Sequence, residues 1–209
     1  MNSTLILIRH GESLWNAKNV WTGITDIGLS DVGKKEAVQA AKDIASEPIS
    51  IVYTSALSRA KQTATIILEQ LGKSSLPIIQ TSALNERDYG IYTGKNKLEV
   101  KQLLGESGYL ALRRGWNTPV PKGENLLQVY NRVVPYFESE IAPHLKTGES
   151  ILIVAHGNSL RALMKYIEHI SDEDIASVEL KTGEIVIYTF SGIGTLISKK
   201  MHSQGQVLG

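Results

Sequence analysis

Two histidines carry the chemistry this sequence can do most readily. His10 closes the stretch Leu5-Ile6-Leu7-Ile8-Arg9-His10-Gly11-Glu12, and His156 closes Ile151-Leu152-Ile153-Val154-Ala155-His156-Gly157-Asn158. A neutral imidazole is a good nucleophile toward phosphorus, and an arginine beside it can clamp phosphate oxygens. Arg9 and Arg161 bracket the pair in sequence. Gly11 is expected to leave room where a ligand approaches the backbone. A lone histidine at a strand end is more often a residue bonded to its neighbours than a catalyst; two in matching settings point to a shared site. Paired histidines could instead hold a metal, with Glu12 or Glu86 adding a carboxylate. The arginines argue against that, because crowded cations disfavour another cation and favour an anion. Cysteine is absent, which removes disulfides, thiolate zinc sites and cysteine nucleophiles.

Other groups carry weaker signals. Arg59, in Ser55-Ala56-Leu57-Ser58-Arg59-Ala60, falls in the first turn of an expected helix. A cation there opposes the helix dipole, and an anionic ligand would reverse the sign. Alone, it reads equally well as a solvated arginine. Glu86, in Asn85-Glu86-Arg87-Asp88-Tyr89-Gly90, could be a general acid and base, although the cluster alone reads as a turn of solvated charges. Arg113-Arg114 is a doubled cation suited to a carboxylate or phosphate, and alone would be a solvated face. Lys34-Lys35-Glu36 reads as a solvated helix face, and His144, His169 and His202 as surface or capping residues.

The scaffold must bring these groups together. The two Ile/Leu/Val runs read as strands buried on both faces, and an open α/β sheet binds ligands beyond the carboxyl ends of its strands. Strands are expected at 4–9, 51–54, 77–80, 151–155, 185–190 and 195–199. A helix from Ser30 would bury Val32, Val38, Ala41, Ile44 and Ala45. Another, capped by Ser55, would bury Ala60, Ala64, Ile67, Leu68 and Leu71. Further helices are expected around 98–104, from Leu126 to Ile141 with a kink at Pro135, and across Leu160, Leu163, Met164 and Ile167. Alternating strands and helices imply an α/β fold: three layers, α/β/α, with a mostly parallel central sheet flanked by helices, in a single catalytic domain spanning 1–209. The 209 residues are 42% hydrophobic and 21% charged with net charge +1, which makes no general case for nucleic acid or membrane. The first strand starts at once, without a leader-like pattern, and no apolar run approaches the roughly 20 residues of a membrane helix. The expectation is a cytoplasmic protein.

Leu7-Ile8-Arg9-His10-Gly11-Glu12-Ser13, followed by Trp15-Asn16, resembles the signature of the histidine phosphatase superfamily, and within it the bisphosphoglycerate-dependent phosphoglycerate mutases. Further blocks resemble that family in the same order: Thr22-Gly23; Ser55, Leu57, Arg59-Ala60 and Gln62-Thr63; Leu84 to Arg87 with Tyr89-Gly90 and Lys97; and Ala155 to Arg161. Arg113-Arg114 followed by Pro119 also fits. The short stretch between Pro119 and Glu124 resembles the compact members, while Asp88 and Asn125 depart from the pattern.

The resemblance implies a phosphoglycerate-mutase-like fold and interconversion of 3-phosphoglycerate and 2-phosphoglycerate. The reaction would run through a phosphohistidine on His10, primed by 2,3-bisphosphoglycerate and without a metal. Arg9, Arg59 and His156 would hold the equatorial phosphate oxygens. Asn16 with Gly157 and Asn158 would complete the cradle, and Glu86 would give and take the hydroxyl proton. Thr22, Gly23, Tyr89, Lys97, Arg113 and Arg114 would bind the far end of the substrate. Gly11, Glu12, Ser13 and Arg87 are expected among the substrate-binding residues as well. A phosphomonoester phosphatase on the same scaffold, with water as acceptor, is the alternative; it would need neither the doubled arginine nor the lysine. A catalytically dead binding module would have lost His10, Glu86 or His156. The implied partners are small-molecule phosphoglycerates, with no nucleic acid and no membrane, and a homo-oligomer is left open.

Overall fold

The apolar run Leu5–Ile8 is wholly buried and forms the middle of β1 (Ser3–Arg9). In a computed structural model, which describes residues 2–202, β1 lies inside a six-stranded sheet. The other strands are β2 (Ile51–Ser55), β3 (Ile78–Thr81), β4 (Ile151–Ala155), β5 (Ile185–Phe190) and β6 (Leu196–His202), in the order β3-β2-β4-β1-β5-β6. The first four positions are parallel, whereas β5 and β6 run antiparallel to their neighbours. The residues before β5 carry the chain back to the carboxyl end of β1, where Gly183 N–H donates to Arg9 O and Arg9 N–H to Glu184 O. The next strand must therefore run the other way.

Alternate side chains of the central strands feed two cores. Leu5, Leu7, Ile151 and Ile153 pack against Val129 and Val133 of α5 (Leu126–Tyr136) and Leu160 and Leu163 of α7 (Gly157–Glu168). Ile6, Ile8, Val52 and Val154 face Ala40 and Ala41 of α2 (Asp31–Asp43) and Ala60, Ala64 and Ile67 of α3 (Ser58–Gln70). The expected α/β/α layering follows from this double burial. A third cluster, around Trp21, Tyr89, Tyr109 and Leu112, packs the loops against α4 (Lys97–Arg114).

Several local expectations need correction. α2 buries Gly33, Ala37, Ala40 and Ala41, while Val32 is 53% exposed and Ala45 faces solvent. The small stripe wins because α2 lies backbone-close to the His10 loop. Ser55 is not the cap of α3: Leu57 holds that position, and the Ser55 hydroxyl accepts Leu57 N–H at 3.2 Å. α4 runs well past Leu104, as two helical pieces joined at Gly105 with φ 68°. Downstream of Pro135, which has no N–H to donate, the helix widens into a π turn at Phe137–Ile141 before α6 (Ala142–Lys146).

Candidate active site

β1 and β4 are direct neighbours, with Arg9 opposite Ala155. That register sets the next residue on each strand, His10 and His156, side by side, with ring centroids 4.8 Å apart. His10 Nδ1 lies 2.6 Å from the Gly11 carbonyl. A carbonyl only accepts, so Nδ1 carries the proton and Nε2 keeps its lone pair. Nε2 in turn accepts Arg59 Nε–H at 3.3 Å. Burial first, then the charges of Arg59 and Arg9, hold His10 well below the usual imidazole value. It is therefore a neutral imidazole at pH 7, the form that can act as a nucleophile. Burial, Arg59 and His10 hold His156 down in the same way, and its Nε2 meets the Ser55 hydroxyl at 2.6 Å.

Arg59 is not solvated. It is 1% exposed, and its guanidinium donates to Thr25 O at 2.9 Å and Gly23 O at 2.8 Å. Gly23 presents that carbonyl from φ 54°, a left-handed backbone that favours glycine. Burial lowers Arg59 to about 10, still a cation at neutral pH. Arg9 donates to Leu180 O at 2.6 Å.

Glu86 is also buried. Its Oε1 accepts Asn158 N–H at 3.2 Å and Asn158 Nδ2 at 3.1 Å, so the carboxylate sits at the N-terminus of α7, where the dipole favours an anion. The Glu86 backbone is fixed by Arg132, which donates to Ala83 O and Glu86 O while paired with Glu124. The Tyr89 hydroxyl accepts Asn158 Nδ2 at 2.9 Å, and its ring packs on Trp21 at 4.3 Å between centroids. Lys97 Nζ stands 5.7 Å above the Trp21 ring. Burial, then Arg9 and Arg113, lower Lys97 to about 8.

One cleft gathers most of these groups. Of the expected site residues, Arg9, His10, Asn16, Arg59, Glu86, Gly157 and Asn158 line it, and so do Thr22, Gly23, Tyr89, Lys97, Arg113 and Arg114. His156 lies outside the lining, fully buried beside His10.

Four expected binding residues are outside it as well. A Cβ on Gly11 would stand 2.2 Å from Gly33 O, so glycine there serves the approach of α2 rather than of a ligand. Glu12 accepts the Ser30 hydroxyl and gives its N–H to Glu36. The Ser13 hydroxyl caps α1 (Leu14–Ala17) by accepting Asn16 N–H. Arg87, fully buried, donates to Leu112 O and lies 4.7 Å from the Tyr89 ring centroid, supporting the cleft wall from behind. Glu36, read as solvated, is half-buried and joins Glu12 N–H to the Thr182 hydroxyl.

Trp21, Arg161, Glu179 and Leu180 line the cleft without having been picked out as binding residues. Arg161 had a usable signal, since it lies near the start of a helix that follows a site-forming strand, as Arg59 does. Glu179 and Leu180 sit on an irregular segment and had none. Arg9 Nε, Arg161 Nε, Trp21 Nε1 and Thr22 Oγ1 are buried without a hydrogen-bond partner among the described residues. Each such group costs about 1–3 kcal/mol. An anion rich in acceptor oxygens would satisfy them. Nucleophilic imidazole, convergent cations and a buried carboxylate can together accept a phosphoryl group and move a proton.

Among the described residues, no group of three or more His, Cys, Asp or Glu is placed to hold a metal ion, and no helix is long and apolar enough to cross a membrane. The sequence pattern of the histidine phosphatase superfamily (branch 1) matches residues 5–200. The chain belongs to the histidine phosphatase superfamily. Among its relatives is a 2,3-bisphosphoglycerate-dependent phosphoglycerate mutase of Bartonella quintana, 49% identical over 95% of this chain and 98% of its own. Another, of the same name, is from Parvibaculum lavamentivorans, 42% identical over 96% of this chain and 97% of its own. A solved structure, Bacillus stearothermophilus YhfR, superposes with TM-score 0.81 at 28% identity, covering 93% of this chain and 94% of its own.

Proposed function

We propose that this chain is a 2,3-bisphosphoglycerate-dependent phosphoglycerate mutase acting as one catalytic domain, 1–209. The observation that carries the reading is a second cationic group, Lys97 with Arg113 and Arg114, in the same cleft as His10. Hydrolysis of a monoester needs one anion subsite; moving a phosphate between two oxygens of an acid needs the other end held too.

His10 Nε2 attacks a phosphorus of 2,3-bisphosphoglycerate in line, and the ester P–O bond breaks as the P–N bond forms. Arg9 and Arg59 neutralise the equatorial oxygens, with His156 behind His10 completing the phosphate end. Glu86 protonates the leaving alkoxide. That step primes the enzyme and releases the monophosphoglycerate. Glu86 next takes the proton of the 2-hydroxyl of 3-phosphoglycerate as that oxygen attacks phosphorylated His10, the P–N bond breaking as the new ester bond forms. The resulting 2,3-bisphosphoglycerate turns within the cleft, held by the far cations, and passes its 3-phosphate to His10, which frees 2-phosphoglycerate. Asn16, Gly157 and Asn158 line the phosphate end; Thr22, Gly23 and Tyr89 line the path of the turn. The arginines take the role a divalent cation would fill, so the reaction is metal-independent. Small-molecule phosphoglycerates as partners and a cytoplasmic place in glycolysis and gluconeogenesis go with this reading.

An enolase-coupled assay tests it. Conversion of 3-phosphoglycerate should be strongly stimulated by added 2,3-bisphosphoglycerate, and labelled enzyme should lose its phosphate in acid and keep it in alkali. Release of inorganic phosphate outpacing interconversion would establish the water-accepting alternative instead.

A further inference from the structure

We propose that Glu179 is a built-in competitor for the far anion subsite: its carboxylate holds Arg113 and Arg114 and gives them up to the distal anion of an incoming ligand. This rests on the mutase reading and adds a determinant of its affinity. Glu179 Oε1 lies 3.0 Å from Arg113 Nη2, and Oε2 lies 2.5 Å from Arg114 Nη2. One carboxylate therefore bridges both members of the doubled arginine. That is the contact a substrate carboxylate or phosphate would make.

Among the described residues, two carboxylates line the cleft, Glu86 and Glu179. Glu86 sits at the phosphate end and has a proton to carry. Glu179 has no such task, and in a cleft made for anions it subtracts from ligand affinity for as long as it stays. Partial burial works against its charge, but the hydrogen bond and charge of Arg114, then the charge of Arg113, hold the carboxyl below its usual range. It is therefore ionised at neutral pH.

The pairing is exchangeable. The side chains of Glu179 and Arg113 are 39% and 43% exposed, and an exposed ion pair contributes only a factor of about 1.5 to 5; Arg114, 19% exposed, is the firmer half of the bridge. The neighbouring residues repeat the pattern: Val178 O accepts Arg114 Nη1 at 3.3 Å, and Leu180 O accepts Arg9 Nη1 at 2.6 Å. Three consecutive residues thus offer acceptors to arginines of both subsites.

The experiment compares wild type with Glu179→Gln. Titration calorimetry measures binding of 3-phosphoglycerate, which has a distal carboxylate, and of inorganic phosphate, which fills the catalytic end alone. Thermal melting checks that the variant is folded, and Glu179→Asn serves as a second neutral variant. The expected result is a two- to tenfold fall in Kd for 3-phosphoglycerate in the neutral variants, with a smaller change for phosphate and a parallel fall in KM. An unchanged or weakened affinity for 3-phosphoglycerate would overturn the proposal, because Glu179 would then orient the arginines rather than compete for them. Equal tightening of both ligands would overturn it as well, leaving only a general field effect. If wild type neither binds nor turns over 3-phosphoglycerate, the mutase reading falls and takes this one with it.

Discussion

Lys97 is the residue whose environment makes the sharpest statement about pH. With its ammonium lowered to about 8, it is charged below that pH and neutral above it. A bound anion favours the charged form, so affinity is full below pH 8 and falls as pH rises through it, by up to about tenfold per unit. KM for 3-phosphoglycerate measured from pH 6.5 to 9.5 should rise on the alkaline side, and Lys97→Arg should flatten that rise. His10 works in the opposite sense. Its lowered value keeps the nucleophile unprotonated below the usual histidine range, so the acid limb of kcat/KM should fall below about pH 6.5. Glu86→Gln should lower kcat by about 10²–10⁴ with much less effect on KM, the usual span for a lost acid and base. At this scale the two histidines were legible in the sequence because each ends an unbroken apolar run. Arg87 and Glu36 were not: a charged residue in a polar stretch reads as solvated, and only tertiary packing reveals that Arg87 is fully buried under the cleft wall.

The element that positions the nucleophile loop is α2, and it does so through glycine. A Cβ on Gly33 would stand 2.0 Å from Glu12 O, with no side chain able to yield, since the clash is with backbone. Gly33→Ala should therefore push α2 off the loop that carries His10. We expect a loss of about 1–3 kcal/mol, read from the urea midpoint, and a fall in kcat; Gly72→Ala, where φ is 65° but nothing crowds a Cβ, should lose stability through backbone strain without that fall in kcat. The existence of most elements was readable from periodicity. The faces were less so, because Val32 and Val38 outweigh alanine and glycine in hydropathy while the stripe that packs is the one small enough to approach closely. Ser55 shows the same limit. A serine before a helix reads as a cap, yet this one bonds across the sheet to His156.

For the molecule as a whole, the proposed reaction depends on one cleft holding a ligand at both ends while it turns. Removing a far-end cation should cost about 1.5–3 kcal/mol of that grip, or about ten- to a hundredfold in retention. Arg113→Ala and Arg114→Ala should each raise inorganic phosphate release relative to mutase turnover, because a phosphoglycerate held less firmly leaves phosphorylated His10 open to water. An unchanged ratio with normal KM would return these arginines to the solvated face. The parallel core of the sheet was foreseeable from its apolar runs; the reversal at β5 was not, since nothing in Ile185–Phe190 encodes direction.

The place of β1 in the sheet bears on how the protein is made. Its two neighbours, β4 and β5, both come from the last third of the chain. At about 5–20 residues per second, a ribosome spends on the order of ten seconds or more between β1 and β4. Through that interval the most apolar segment of the nascent chain has neither of its partners, a state that invites wrong pairing and chaperone capture. The two histidines meet only when β4 docks, so recovery of activity during refolding should be a late event that reports closure of the long-range β1–β4 pairing.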